Sequence, residues 1–294
     1  MSTALQITRP VLRYHGGKWK LAPWIISHFP EHRVYVEPFG GGASVLLRKE
    51  RSYAEVYNDL DGEIVNLFRV LRNPKQAKDL EERLRLTPFS RREFMASYMN
   101  HAGRVERARR TVVKSHMGFG ADAIRGINHT GFRNDTRRSG GIPAHDWARL
   151  PAHIGGIADR FAGVIVEQKP AGGLIAKLDG TDVLFYCDPP YPLSTRSQKR
   201  KEESSFHGYL HEMTDDQHRE LAQLLRSVLG MVVLSGYPCD LYDKELYPDW
   251  RRFERQHLAD GAKKRTEVLW LNDSAARKMP QEAFKFTPPT GDYL

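Results

Sequence analysis

Seven short apolar, β-branched runs punctuate this 294-residue chain, each followed by a turn or a helical pattern. They are Val34 to Glu37, Tyr53 to Tyr57, Val164 to Val166, Asp182 to Cys187, Met231 to Leu234, Arg252 to Leu258 and Glu267 to Leu271. Runs this short and this apolar suit strands of a parallel sheet covered on both faces. Ala43 to Glu50, Asp61 to Leu71 and Asp215 to Leu229 carry apolar residues at helical spacing, and Thr214 can cap the last of them. Strands alternating with helices predict a doubly wound α/β fold with a Rossmann-like sheet of about seven strands. Only a short polar stretch, HLADGAKKRTE, separates the cores of the last two runs. A crossover helix does not fit there, so these two should form an antiparallel hairpin at the sheet edge.

The pattern changes from about Asn73 to Phe161. Helical periodicity over Pro74 to Leu84, Ser90 to Met99 and Val105 to His116 gives way to an irregular basic stretch, MGFGADAIRGINHTGFRNDTRRSGGIP. A long loop of that kind in a compact protein is functional or disordered. The expected organisation is a sheet domain of residues 1–72 and 163–294, with an inserted, mostly helical subdomain of residues 73–162. Lys and Arg number 45 against 36 Asp and Glu, a net charge of +9. That excess favours a polyanionic partner, nucleic acid ahead of a membrane, although solubility alone would also explain it. The two cysteines, Cys187 and Cys239, form no ligand cluster. A disulfide scaffold and a metal site are not expected, and each thiol reads as reduced beside an apolar run. The amino terminus lacks an apolar leader, and no stretch approaches the roughly 20 apolar residues of a membrane span. A soluble, cytoplasmic protein is expected.

Three motifs carry chemistry. Glu37-Pro38-Phe39-Gly40-Gly41-Gly42-Ala43-Ser44 follows the first strand and opens a helix. Glycines there let a ligand approach the backbone and the helix N-terminus. The spacing is neither GxGxxG nor a P-loop, and a tight strand-to-helix turn is the alternative reading. Asn58-Asp59 ends the second strand, with Asp59 placed 17 residues after Gly42. A carboxylate at that distance can accept from both hydroxyls of a ribose. The alternative is a helix cap, a role open to Asp61 as well. Asp188-Pro189-Pro190-Tyr191 follows the fourth strand. Two prolines remove backbone donors and stiffen the chain. A carboxylate and a proline carbonyl can together accept both hydrogens of an amino group, and the aromatic can stack on a planar base. Open α/β sheets bind ligands at this end of their strands.

In this order the three motifs resemble the Dam-type, D12-class DNA adenine N6-methyltransferases. The similarity extends to Tyr14-His15-Gly16-Gly17-Lys18, like the family's amino-terminal cofactor motif, and to Tyr209-Leu210-His211-Glu212-Met213-Thr214, Leu234-Ser235-Gly236-Tyr237 and Lys264-Arg265-Thr266-Glu267-Val268-Leu269-Trp270. It covers residues 11–72 and 163–272. Glu37 stands where many members have Asp and keeps the carboxylate. The resemblance implies S-adenosylmethionine as cofactor and no metal. Tyr14, Gly17, Lys18, Glu37, Phe39, Gly40, Gly41, Asn58, Asp59 and Asp188 would form the cofactor site. Asp188, Pro189, Pro190 and Tyr191 would be catalytic, with Tyr191 stacked on an adenine flipped out of double-stranded DNA.

The insertion would choose the target sequence. Arg125, Asn128, Arg133, Asn134, Arg137 and Arg138 suit base edges and phosphates. Arg196, Lys199, Arg200 and Lys201 would hold phosphates or close over the substrate, although a solvated loop fits them as well. The enzyme would act as a monomer or as a homodimer on a palindrome. Methylation of cytosine N4, of RNA or of a glutamine side chain, and an inactive DNA-binding module, are the competing readings.

Overall fold

A computed structural model describes residues 7–14, 16–120, 130–137, 141–195, 212–258 and 264–280. Seven strands are β1 (Val34–Glu37), β2 (Ala54–Asn58), β3 (Ile165–Glu167), β4 (Val183–Cys187), β5 (Met231–Gly236), β6 (Arg251–Leu258) and β7 (Lys264–Leu271). The helices used below are α1 (Ala22–Ile26), α2 (Ser44–Arg48), α3 (Gly62–Arg72), α4 (Pro74–Leu86), α5 (Arg91–Ala96), α6 (Arg104–Met117), α7 (Pro143–Arg149), α8 (Ile154–Phe161), α9 (Ala171–Leu178) and α10 (Asp215–Ser227).

The strands form one sheet in the order β3-β2-β1-β4-β5-β7-β6. The pairs from β3 to β5 are parallel, whereas β5–β7 and β6–β7 are antiparallel. The α/β sheet with an antiparallel edge hairpin is therefore the one the sequence leads one to expect. Side chains alternate across the pleat. Tyr35, Tyr57, Leu184, Tyr186, Val233 and Leu269 enter one core layer, with α1 to α8. Val36, Val56, Phe185, Cys187, Leu234 and Trp270 enter the other, with α9 and α10.

Local chemistry sets the helix ends. Thr214 and Gln217 exchange hydrogen bonds in a capping box that starts α10. The Asp61 carboxylate accepts from the Glu63 and Ile64 amides at the start of α3. Asp61, not Asp59, is therefore the cap. The helix expected over Ser90 to Met99 is the shorter α5, capped by Ser90.

The inserted segment does not build a core of its own. Leu80, Leu84, Phe94, Val112, Trp147 and Phe161 belong to the same buried cluster as Tyr57 and Phe68 of the sheet layer. Phe68 and Phe161 stack with centroids 4.5 Å apart. Asn73 ends α3 and its side chain caps α4 by accepting from Gln76, so no linker separates the two helices. Residues 72 and 163 mark a change of pattern rather than a break in packing.

Parallel register aligns the carboxyl ends of the central strands. Glu37 lies opposite Tyr57, and Cys187 lies opposite Leu234. Strand order reverses between β1 and β4, where loops part and leave a crevice.

Candidate active site

The glycine loop is shaped by two tyrosines. A Cβ on Gly40 would lie 2.2 Å from Tyr57 Cε2, and one on Gly41 would lie 2.7 Å from Tyr14 Cε1. Gly41 also has φ of +47°, a conformation that favours glycine. The Tyr57 hydroxyl donates to the Gly41 carbonyl at 2.7 Å. Asp59 holds the other side: its Oδ2 accepts from the Gly41 amide and its Oδ1 from the Asp61 amide, both at 2.8 Å. Asp59 itself stands in the wall of the crevice.

At the end of β1, Glu37 Oε1 accepts from the Tyr35 hydroxyl at 2.6 Å and from the Leu46 amide at 2.8 Å. Burial raises the Glu37 carboxyl to about 8, against the lowering effect of those two donors. At the end of β4, Asp188 Oδ2 lies 2.9 Å from Lys18 Nζ. Its Oδ1 accepts from Ser235 Oγ on β5 at 2.7 Å and lies 3.1 Å from the Tyr191 hydroxyl oxygen. Burial pushes the Asp188 carboxyl up and the neighbouring Lys18 ammonium pulls it back. The adjacent Cys187 thiol is buried in the apolar layer and raised well above its ordinary range, so it is inert.

Lys18 is held over the site by its own segment. Its Nζ donates to the Gly16 carbonyl at 2.8 Å, and the Gly17 amide donates to Tyr14 O at 3.0 Å. The segment's amino-terminal end is pinned by α6. There Arg13 N donates to Ser115 Oγ at 2.6 Å, and His116 Nε2 bonds the Val11 carbonyl at 3.0 Å.

These groups line one cavity of about 300 Å³. Tyr14, Gly17, Lys18, Glu37, Phe39, Gly40, Gly41, Asp59 and Asp188, all named from the sequence, stand in its wall. So does Pro190. The wall also includes Tyr186, Glu212, Met213 and Gln217, which sequence reasoning gave no role. Five carboxyl groups (Glu37, Asp59, Asp61, Asp188 and Glu212) face one lysine across it. That donor set fits a cationic ligand with hydroxyl groups and an apolar ring, the chemical character of S-adenosylmethionine. Among the described residues no group of three or more His, Cys, Asp or Glu is arranged to hold a metal ion.

Several expected residues stand elsewhere. Asn58 is absent from the wall, because its amide is used up inside: Nδ2 donates to the Pro38 and Lys169 carbonyls and Oδ1 accepts from the Lys169 amide. It braces two loops rather than meeting a cofactor. Tyr191 has little ring face to offer a stacked base. The residue is 6 % exposed, packs edge-on against Tyr237 and has Lys18 Nζ 4.9 Å from its ring centroid. Arg133 is buried, with NH1 donating to the His116 carbonyl. Asn134 and Arg137 are exposed. Arg125, Asn128, Arg138, Arg196, Lys199, Arg200 and Lys201 lie outside the described residues.

Two further residues lie in segments that resemble the family but were given no role from the sequence. Ser235 could have been found once β5 was placed beside β4, since it then neighbours Asp188. Glu267 is the one carboxylate of β7; it is 1 % exposed and lies 3.7 Å from Lys18 Nζ.

A family profile described as D12 class N6 adenine-specific DNA methyltransferase matches residues 14–258. The chain is 28% identical over 191 residues to the DNA adenine methylase of Vibrio cholerae serotype O1, covering 64% of this chain and 67% of that one. It is 24% identical over 262 residues to the DNA adenine methylase of Salmonella typhi, covering 85% and 86%.

Proposed function

The chain belongs to the D12 class of N6 adenine-specific DNA methyltransferases, and from that premise we propose how its own residues carry the reaction. DNA adenine is the group methylated, and this sets aside cytosine N4, RNA, protein amide and inactive-module readings. The observation that carries the assignment of roles is Asp188. Its carboxylate ends the fourth strand at the switch point of the sheet, in the wall of the cavity, with Lys18 on one oxygen and Ser235 on the other.

S-adenosylmethionine supplies a methyl group already activated by the sulfonium charge. Tyr14, Lys18, Glu37, Phe39, Gly40 and Gly41 would enclose it, and Asp59 would accept from its ribose hydroxyls. The adenine leaves the duplex stack, because its amine is otherwise paired and out of line. That amine is a weak nucleophile, since its lone pair is delocalised into the ring. Asp188, with the Pro189 carbonyl, accepts its hydrogens and favours a nitrogen whose lone pair is available. The nitrogen then sheds a proton, and Asp188 is the base in the wall placed to receive it. The remainder of the protein's work is alignment and electrostatic placement. Tyr191 packs beside Asp188 and does not stack on the base. The 73–162 segment, with the exposed Asn134 and Arg137, selects the site on double-stranded DNA. The reading places the enzyme in the cytoplasm, acting on DNA as a monomer or as a homodimer.

Replacement of Asp188 by Asn or Ala tests this. Single-turnover methylation of an adenine-containing duplex should fall by about 10²–10⁴-fold, while cofactor affinity changes by only a few-fold. Transfer near the wild-type rate would overturn the role given to Asp188. Sequencing of DNA from expressing cells for modified bases would supply the target site.

A further inference from the structure

Glu267 presents a buried carboxylate where its neighbours on β7, Val268 to Leu271, are all apolar and buried. A buried charge is costly unless paired, and Glu267 is paired with the catalytic group's own partners. Lys18 Nζ lies 2.9 Å from Asp188 Oδ2 and 3.7 Å from Glu267 Oε1. The Tyr191 hydroxyl sits between the same two carboxylates, 3.1 Å from Asp188 Oδ1 and hydrogen-bonded to Glu267 Oε1. On the far side, Glu267 Oε2 lies 3.6 Å from His257 Nε2 of β6.

A phenol has one hydrogen to donate. Asp188 Oδ1 has two lone-pair directions, and Ser235 Oγ occupies one of them. If Tyr191 donated to the other, no lone pair on that oxygen would remain for a substrate amine. Glu267 competes for the same hydrogen. We infer that Glu267 is a positioning residue for methyl transfer: by drawing the Tyr191 hydroxyl hydrogen to itself, it leaves Asp188 Oδ1 as an acceptor for the adenine amine. This rests on the role given to Asp188 above.

Glu267 also acts through charge. Lys18 from the amino-terminal segment, Tyr186 and Tyr191 on and after β4, Tyr237 after β5, Glu37 on β1, His257 and Arg255 (the cross-strand partner of Glu267) on β6, and Arg265 on β7 over the Tyr237 ring are titratable or charged groups around this carboxylate pair. Glu267 raises the proton affinity of Asp188. Removing its charge should therefore move the acid limb of methyl transfer to lower pH.

The experiment compares single-turnover rates, at saturating S-adenosylmethionine and duplex, for Glu267→Gln and for Glu267→Gln combined with Tyr191→Phe. The first should be at least tenfold slow, with cofactor and DNA dissociation constants within about threefold of wild type and its acid limb shifted down. The second should recover much of that loss, because the competing hydroxyl is gone. A merely structural glutamate would give the opposite, with the second change compounding the first, and that result would overturn the inference. So would a Glu267→Gln rate within twofold of wild type. If Glu267→Gln fails to bind cofactor, Glu267→Asp takes its place; it should keep the acid limb of wild type, and a shifted limb would count against the proposal. Loss of rate in Asp188→Asn with none in Glu267→Gln sinks this inference alone, whereas an active Asp188→Asn sinks the role of Asp188 first.

Discussion

Glu37 shows how much one buried side chain can set. It is 2 % exposed and its carboxyl is raised to about 8 by burial. A carboxyl that binds its proton more tightly when folded adds stability below its unfolded value near 4.5, and that stability is lost as pH rises through the window up to about 8. At about 1.4 kcal/mol for each tenfold change in proton affinity, roughly 4–5 kcal/mol is the upper limit of the effect. The cofactor-free protein should accordingly lose thermal stability between pH 5 and pH 8, and Glu37→Gln should flatten that dependence. A melting temperature with the same pH slope in both proteins would refute it. A cationic cofactor facing Glu37 would favour the ionised form, so the slope should also shrink when S-adenosylmethionine is bound.

At the scale of elements, α6 joins two functions that are far apart in sequence. It belongs to the inserted segment, yet Ser115 accepts from the Arg13 amide and donates to the Arg13 carbonyl at 3.1 Å. Those bonds fix the backbone one residue before Tyr14 and five before Lys18. Ser115 is fully buried, so its replacement by Ala would leave both backbone groups without that partner, at a cost of about 1–3 kcal/mol. The expected readout is cofactor affinity. Calorimetric titration of Ser115→Ala should give a dissociation constant raised about tenfold or more, at roughly 1.4 kcal/mol per decade. An unchanged constant would show that α6 does not hold the cofactor segment.

The whole molecule is basic, with a net charge of +9, while the charged groups in the wall of its cavity are five carboxyl groups and one lysine. The two facts separate by place: the acidic wall suits a cation, and the positive excess lies elsewhere on the chain. Binding to duplex DNA should weaken steeply with salt, with log affinity falling by about 0.9 for each phosphate neutralised, on the order of 4–6 overall against log salt. A flat response would mean that phosphate contacts do not govern binding. No helix among the described residues is long and apolar enough to cross a membrane.

Much of this could be read along the chain because its causes are local. Apolar runs of three to seven residues, a glycine loop after the first strand and two prolines after the fourth depend on neighbours in sequence, so the α/β fold and the part of the cavity wall built from those motifs were legible there. Thr214 and the edge hairpin were legible for the same reason. What stayed hidden depends on strand order. Ser235 and Glu267 join Asp188 only because β5 lies beside β4 and β7 lies beside β5. Asn58 looked like a ligand residue by type, but the tertiary structure uses its side-chain amide inside the fold. Tyr191 likewise reads as a stacking ring until its surroundings are known. Residue chemistry and spacing are local properties; a side chain's remaining valence is decided by everything that packs against it.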